Sequence, residues 1–409
     1  MRRRMTLEDA ALAVVRRLCD NGHQALWAGG CVRDMLLNID HDDIDIATDA
    51  PPDRIVQMFR RTRKVGMQFG VVLVRQGPYW LETATFRRDV DYQDGRHPEH
   101  VKFTTAEEDA KRRDFTINGL FYDPIDKRII DYVGGQQDLA AGIVRAIGEP
   151  DQRFAEDHLR MLRAIRFTTR LNFELDPATA SAIRQHAAKI TRISPERIRE
   201  ELEKMLTQPT RATAFGQLAD LGLLEHLWPE ASWPTDHKIQ AQAVLAALPP
   251  EADFVLAMAA LLHDHSHTES REISQALRCS NQQIDDIAWL IEQKDRPTDT
   301  DSMSLAAFKK LLIHKRFNDL LTLYKARCIA NNETPIAYEA ACRRRDAIPP
   351  DQIAPPPFVT GDDLIALGLQ PGPPFKQILN TLYDAQLDNE LTSRDEAMER
   401  LQTIVSTCR

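Results

Sequence analysis

Apolar residues recur with two different periods along this chain, and the change of period predicts how it is divided. Early on, the strand period dominates. FGVVLVRQ (69–76) is a β-branched run bounded by Gly70 and by Gly77–Pro78, and YWLETATF (79–86) alternates apolar residues with others, so the two predict a hairpin. In DDIDIAT (42–48), Asp43 and Asp45 alternate with Ile44 and Ile46, which on a strand puts both acids on one face and both isoleucines on the other. TLEDAALAVVRRLCD (6–20) reads as an amphipathic helix, and the polar run RRDVDYQDGRHPEHVKF (87–103), with Gly95 and Pro98, as a mobile loop. Beyond about residue 150 the helical period takes over. Leu159, Leu162, Ile165 and Phe167 fall at helical spacing, and SPERIREELEKML (194–206) opens with Ser194 as N-cap and Pro195 at the first helical position. Proline-rich joints at 247–253 and 347–358 interrupt the helical part, and no repeat of fixed period recurs. The pattern predicts an α+β part over 1–140 and then all-α parts over 141–206, 207–346 and 359–409.

Composition narrows the class. A chain of 409 residues with 43% hydrophobic and 28% charged residues is that of an ordinary globular protein of two or three domains. No apolar run approaches the ~20 residues of a membrane span, so no membrane partner is expected. The six cysteines (Cys19, Cys31, Cys279, Cys328, Cys342 and Cys408) form no C-x-x-C pair, which predicts free thiols in a reducing, cytoplasmic setting rather than disulfides or zinc. A net charge of −9 excludes a global basic field, so a polyanionic partner needs local patches such as FRRTRK (59–64), KRRD (111–114) and CRRRD (342–346).

Candidate chemistry begins at GGCVRDMLLNIDHDDIDIAT (29–48). Glycines 29 and 30 before a predicted helix let backbone N–H groups approach a phosphate, and Arg33 could add a bidentate grip. Two neighbouring carboxylates repel unless a cation sits between them, and oxygen donors suit Mg²⁺; a half-exposed edge strand with solvated acids is the other reading. RRDFTINGL (112–120) adds Arg112, Arg113, Asp114 and Asn118, either as phosphate or sugar contacts or as a helix start capped by Asp114. In EDHLRMLRAIRF (156–167), Asp157 and Arg160 stand at i,i+3 on the predicted helix, with Arg163 following. A surface ion pair is one outcome. The other is an acceptor beside a donor fork, able to read the Watson–Crick edges of cytosine and adenine and to refuse G and U.

These motifs, with DYVGGQQDL (131–139) and PERIREELEKML (195–206), resemble in order and spacing the class II tRNA nucleotidyltransferases, the CCA-adding family related to bacterial poly(A) polymerases. The resemblance covers roughly residues 25–206. It implies a polymerase-β-like palm (the head) with Mg²⁺ on the catalytic Asp43 and Asp45, followed by an all-α neck, body and RNA-binding tail. The nucleotide-binding set it implies is Gly29, Gly30, Arg33, Asp34, Arg112, Arg113, Asp114, Asn118, Asp157, Arg160, Arg163 and Arg166. Asp157 and Arg160 would choose CTP and ATP, and Glu82 is a candidate third carboxylate. The implied partners are a tRNA 3′ end, CTP and ATP, with addition of the terminal A alone, or poly(A) synthesis, as alternatives. The segment DVDYQDGRHP (89–98) takes the place of the family's flexible loop. AALLHDHSHTES (259–270), with His237, resembles a degenerate metal-binding HD pattern and reads more simply as a helix end with satisfied polar groups. Nothing in the sequence fixes an oligomeric state.

Overall fold

Strand-period alternation in the first part of the chain is realised as a seven-stranded mixed sheet. In this computed structural model, which describes residues 5–65, 67–92, 98–229 and 231–407, the strands are β1 (Ala25–Ala28), β2 (Asp45–Thr48), β3 (Thr62–Arg63), β4 (Val71–Gln76), β5 (Tyr79–Thr85), β6 (Arg87–Tyr92), β7 (Pro98–Phe103), β8 (Leu120–Asp123) and β9 (Arg128–Asp131). The sheet runs β3-β4-β5-β2-β1-β8-β9, with β6 and β7 apart as a two-stranded ribbon. The expected hairpin is β4–β5, antiparallel from Val71 opposite Ala84 to Gln76 opposite Tyr79. Strand β2 lies antiparallel to β1 and parallel to β5, which embeds it in the sheet.

The loop expected over 87–103 is instead a β-ribbon, pairing Arg87 with Phe103 and Arg88 with Lys102. Polar residues dominate both runs, so no sustained apolar alternation in the sequence marks them as strands. Residues 93–97, the middle of the expected flexible loop, lie outside the described residues.

Helices close the sheet. Helix α1 (Leu7–Asp20) opens with a Thr6–Asp9 capping box and buries Ala10, Ala11, Val14, Val15 and Leu18. Helix α2 (Gly30–Leu36) follows β1 directly, and α3 (Pro52–Met58) follows β2. Helix α4 (Ala106–Lys111) sets Ala106 and Ala110 into a cluster with Leu26, Ala28, Ala47, Phe86 and Phe121. Each large apolar side chain buried there contributes about 1.5–3 kcal/mol relative to exposure. Helices α5 (Gly135–Ala141), α6 (Pro150–Glu156), α7 (Arg160–Leu171), α8 (Pro177–His186), α9 (Pro195–Leu206) and α10 (Arg211–Asp220) follow, and α7 packs on α9 and α10.

One expected helix is broken. Asp157 is extended (φ −147°, ψ 106°) and ends α6, and α7 starts only at Arg160, so Asp157 and Arg160 do not share a helix.

The chain separates into two compact units, Met1–Trp233 and Pro234–Arg409. The second is entirely helical among the described residues. Within it Arg316 ties three acids together, reaching Asp253 at 2.6 Å, Asp319 at 2.8 Å and Asp286 at 3.1 Å. Its last segment has a core of its own around Leu364, Leu382, Leu391 and Leu401, fed by Val359 and Val405. Among the described residues no helix is long and apolar enough to cross a membrane.

Candidate active site

Strand β1 ends in Ala28, and the chain turns at Gly29 with φ +73° before α2 begins. A side chain there would be strained, and its Cβ would stand 2.7 Å from Nη1 of Arg113, so glycine lets that guanidinium close over the turn. Arg33, one turn into α2, is only 2% exposed. Its Nε donates to Asp34 at 2.8 Å and its Nη1 to Oδ1 of Asn118 at 2.5 Å. Asp34 in turn receives Nη2 of Arg170 at 3.4 Å.

The acid pair stands where β2 begins. Ile44 and Ile46 are buried, whereas Asp43 and Asp45 are exposed, so the alternation read from the sequence survives folding. Ile46 is in register with Thr83, which sets Glu82 beside Asp45 on the adjoining strand. The cleft floor disfavours charge on Asp45. Although Asp45 stays open to solvent on one side, desolvation by the protein packed around its carboxyl comes first, then the Glu82 and Asp43 carboxylates, and together they push it up to about 6, with Arg113 pulling the other way.

At the end of α4 the chain presents Arg112 and Arg113, and both are held by Asp109, three and four residues earlier. Arg112 Nε reaches it at 2.8 Å and Arg113 Nη2 at 3.1 Å. Burial opposes the charge of Asp109, but the two guanidinium groups outweigh it and hold the carboxyl below its ordinary value. Asp114 then accepts the Phe115 N–H at 2.8 Å and the Asn118 amide at 3.0 Å on one oxygen. Its other oxygen takes Arg163, through Nε at 2.8 Å and Nη2 at 2.6 Å.

Helix α7 supplies the remaining wall. Arg166 donates to Glu201 at 2.6 Å, and Arg33, Arg163 and Arg166 all crowd the ring of Phe167, at 4.9, 5.3 and 4.2 Å from its centroid. Arg160 points back, donating to Glu156 at 2.6 Å and to the carbonyl of Arg112 at 3.1 Å. Asp157 is held separately, accepting the Leu159 N–H at 3.1 Å and Arg197 at 2.7 Å. The two groups named as base readers are therefore oriented by different partners rather than by each other.

One cleft of about 630 Å³ is lined by Asp43, Asp45 and all twelve residues that the sequence offers as nucleotide-binding candidates, and by Asp40, His41, Asp42, Phe167 and Arg170 as well. That volume suits a nucleoside triphosphate. Sequence reasoning missed Asp109, Glu156, Arg170, Arg197 and Glu201. Asp109 and Glu156 left a signal, each an acid spaced three and four residues from two arginines.

The donors at Asp43 and Asp45 are hard oxygens whose mutual charge is left largely uncompensated, which fits a divalent cation. Among the described residues no group of three or more His, Cys, Asp or Glu is placed to enclose a metal by itself, so an ion on this pair would need further oxygens from water and substrate. The same holds for the HD-like segment. There His263 Nδ1 bonds the Ala260 carbonyl at 2.8 Å and its Nε2 faces Asp264 at 3.4 Å, at the end of the helix Phe254–Leu261.

The profile of the poly A polymerase head domain matches residues 25–145, and that of a probable RNA and SrmB-binding site of polymerase A matches 172–233. The CCA-adding enzyme of Geobacillus stearothermophilus is 34% identical, over 97% of this chain and 98% of its own length. The crystal structure of the Bacillus stearothermophilus CCA-adding enzyme in complex with CTP superposes with a TM-score of 0.80 at 30% identity, covering 98% of each chain. A Thermotoga maritima CCA-adding enzyme complexed with tRNA_CCA shares the fold, with a TM-score of 0.66 at 20% identity and coverage of 96% and 94%.

Proposed function

The chain belongs to the CCA-adding enzymes of the poly(A) polymerase family, template-independent tRNA nucleotidyltransferases, and we propose that it completes tRNA 3′ ends in the cytoplasm by transferring CMP from CTP and AMP from ATP. The reading is carried by one convergence. Paired aspartates, a dense group of arginines and the Asp157–Arg160 pair all face the same nucleotide-sized cleft.

Nucleotidyltransferases of this family depend on a divalent metal, and here Asp43 and Asp45 would hold Mg²⁺, with Glu82 adding negative charge on the neighbouring strand rather than a third ligand. Bound there, the metal supplies activation of the RNA 3′-hydroxyl and neutralises charge on the departing pyrophosphate. The protein's own groups do the rest. Gly29 and Gly30 leave room at the turn for the triphosphate, and Arg112 and Arg113 offer it guanidinium forks. Arg33 and Asp34, tied to Asn118 and Arg170, fix the wall behind it. Asp157 accepts the exocyclic amino group common to cytosine and adenine, and Arg160 donates to the ring acceptor beside it. Asp114, Arg163 and Arg166 hold α7 so that these two groups meet the base edge. The sequence boundaries at 140, 206 and 346 then mark a palm, a neck that selects the nucleotide, a body and an RNA-binding tail.

An extension assay with Mg²⁺, CTP and ATP tests this on two tRNAs, one ending at the discriminator base and one ending in CC. CCA on the first is expected. A single A on the second with nothing on the first would mean an A-adding specialist, and long A tracts a poly(A) polymerase.

A further inference from the structure

Strand register extends the catalytic face well beyond the cleft. In-register neighbours share a face of a sheet. Ile46 stands beside Thr83, Leu73 opposite Glu82, and Arg63 opposite Leu73. Asp45, Glu82, Leu73 and Arg63 therefore form a single row across four strands, from the catalytic floor to the sheet edge. The next row out carries Trp80 opposite Arg75. The other face, with Ile46, Val72, Val74, Leu81 and Thr83, is fully buried.

The far end of this row is cationic and aromatic. The Arg63 guanidinium lies 4.2 Å and that of Arg75 5.8 Å from the Trp80 ring centroid. Arg60, Arg61 and Lys64 stand nearby in sequence, on the same solvent-facing stretch. Among the described residues none of these five cations has an acidic partner. In a chain of net charge −9 that is a local reversal of sign. Charges on an edge strand also blunt it against pairing, but that does not account for Arg75, which stands on the inner strand β4 and covers the same ring.

We infer that Arg63, Arg75 and Trp80 form a track for the unpaired 3′ segment of the RNA, gripping its phosphates and stacking its bases a few nucleotides behind the terminus. The inference rests on the RNA-extending function proposed above. Three strand spacings of about 4.8 Å put Arg63, the far end of the track, about 14 Å from Asp45, with Arg75 and Trp80 on the nearer strands, so what lies on it is single-stranded sequence close to the growing end. Guanidinium planes and an indole suit such a strand, because every base offers a π-face and every phosphate a charge.

The test measures binding of the full chain to a labelled single-stranded RNA ending in CC, across a salt series, with a blunt RNA duplex alongside. For R63A/R75A we expect single-strand affinity to fall about tenfold. The slope of log K against log salt should shrink by about 1.4, or about 0.7 for each phosphate no longer neutralised. Trp80→Leu should weaken binding with the slope unchanged, since stacking releases no counterions. Parental affinity and slope in the double variant would overturn the track. So would an equal weakening on the blunt duplex, or a parent that binds no single strand at all. A parent that binds RNA and extends none removes the proposed function, while the track still stands or falls by the double variant.

Discussion

Arg163 closes on Asp114 through two nitrogens, at 2.8 and 2.6 Å, and so bolts helix α7 to the turn that carries Arg112 and Arg113. Two walls of the cleft, separated by 49 residues of sequence, meet at this pair, and Arg160 adds a second link through the Arg112 carbonyl at 3.1 Å. Replacing Asp114 by Asn keeps the shape and removes the charge, leaving Arg163 with Glu201 at 3.7 Å as its acidic partner. Breaking a buried pair from one side costs about 3 kcal/mol, and urea unfolding of Asp114→Asn against the parent measures it.

The pH dependence of that difference follows from the pair. Burial opposes the charge of Asp114, but Arg163 and the Asn118 amide overcome it and bring the carboxyl down to about 2 from the ordinary 3.8. A lowered carboxyl pKa gives stability that is fully present above the ordinary value and is lost as pH falls through the lowered one. Parent and Asp114→Asn should therefore differ by a constant amount above pH 4, and converge as pH falls from 4 towards 2.

Asp45 has the opposite sign. Its carboxyl is raised to about 6, so charging it without a cation costs stability, a penalty absent below 3.8 and complete above 6. Thermal shift with Mg²⁺ should rise steeply between pH 5 and pH 7.5. Asp45→Asn should flatten that rise and make the metal-free protein more stable than the parent at pH 7.5. An Mg²⁺ shift independent of pH in the parent would contradict the assignment.

Asp43→Ala should lower nucleotide transfer by at least about 10³-fold, the scale expected when charge stabilisation at the reacting centre is removed. Gel-shift affinity for tRNA should stay near the parent's. Transfer at the parental rate would remove Asp43 from the metal site.

Arg160→Ala should relax base choice. A well-placed donor–acceptor pair discriminates by about 1–3 kcal/mol, so the ratio of kcat/KM for CTP over UTP should fall by about tenfold or more. Sequencing the products of a UTP-spiked extension checks this. An unchanged ratio would leave Arg160 as no more than the link it visibly makes between Glu156 and the Arg112 carbonyl.

Local patterns are legible in the sequence wherever the period is local. Asp43–Ile46 and the β4–β5 hairpin follow from alternation alone, because one face of each strand is buried. The ribbon of β6 and β7 looks like a loop in the sequence because polar residues dominate both runs and no apolar alternation marks them. The jog at Asp157 leaves no trace for the reverse reason: the sequence reads as helix on both sides even though the backbone leaves the helix over 157–159. What binds the site together, Glu201 to Arg166 and Arg197 to Asp157, spans 35 and 40 residues, and nothing in local spacing encodes such partners. Motifs name the individual residues, but their pairings require the fold.

Those pairings give the cleft a property that a count of its arginines would miss. Arg33, Arg112, Arg113, Arg160, Arg163, Arg166 and Arg170 each already rest on a carboxylate. A triphosphate bound here would meet guanidinium groups that already carry internal counterions, and would compete with those carboxylates rather than simply fall into a positive well. A lone phosphate offers too few charges to compete with chelated acids, whereas a triphosphate brings several at once. Such a site would favour the long anion over the short one before any base is read.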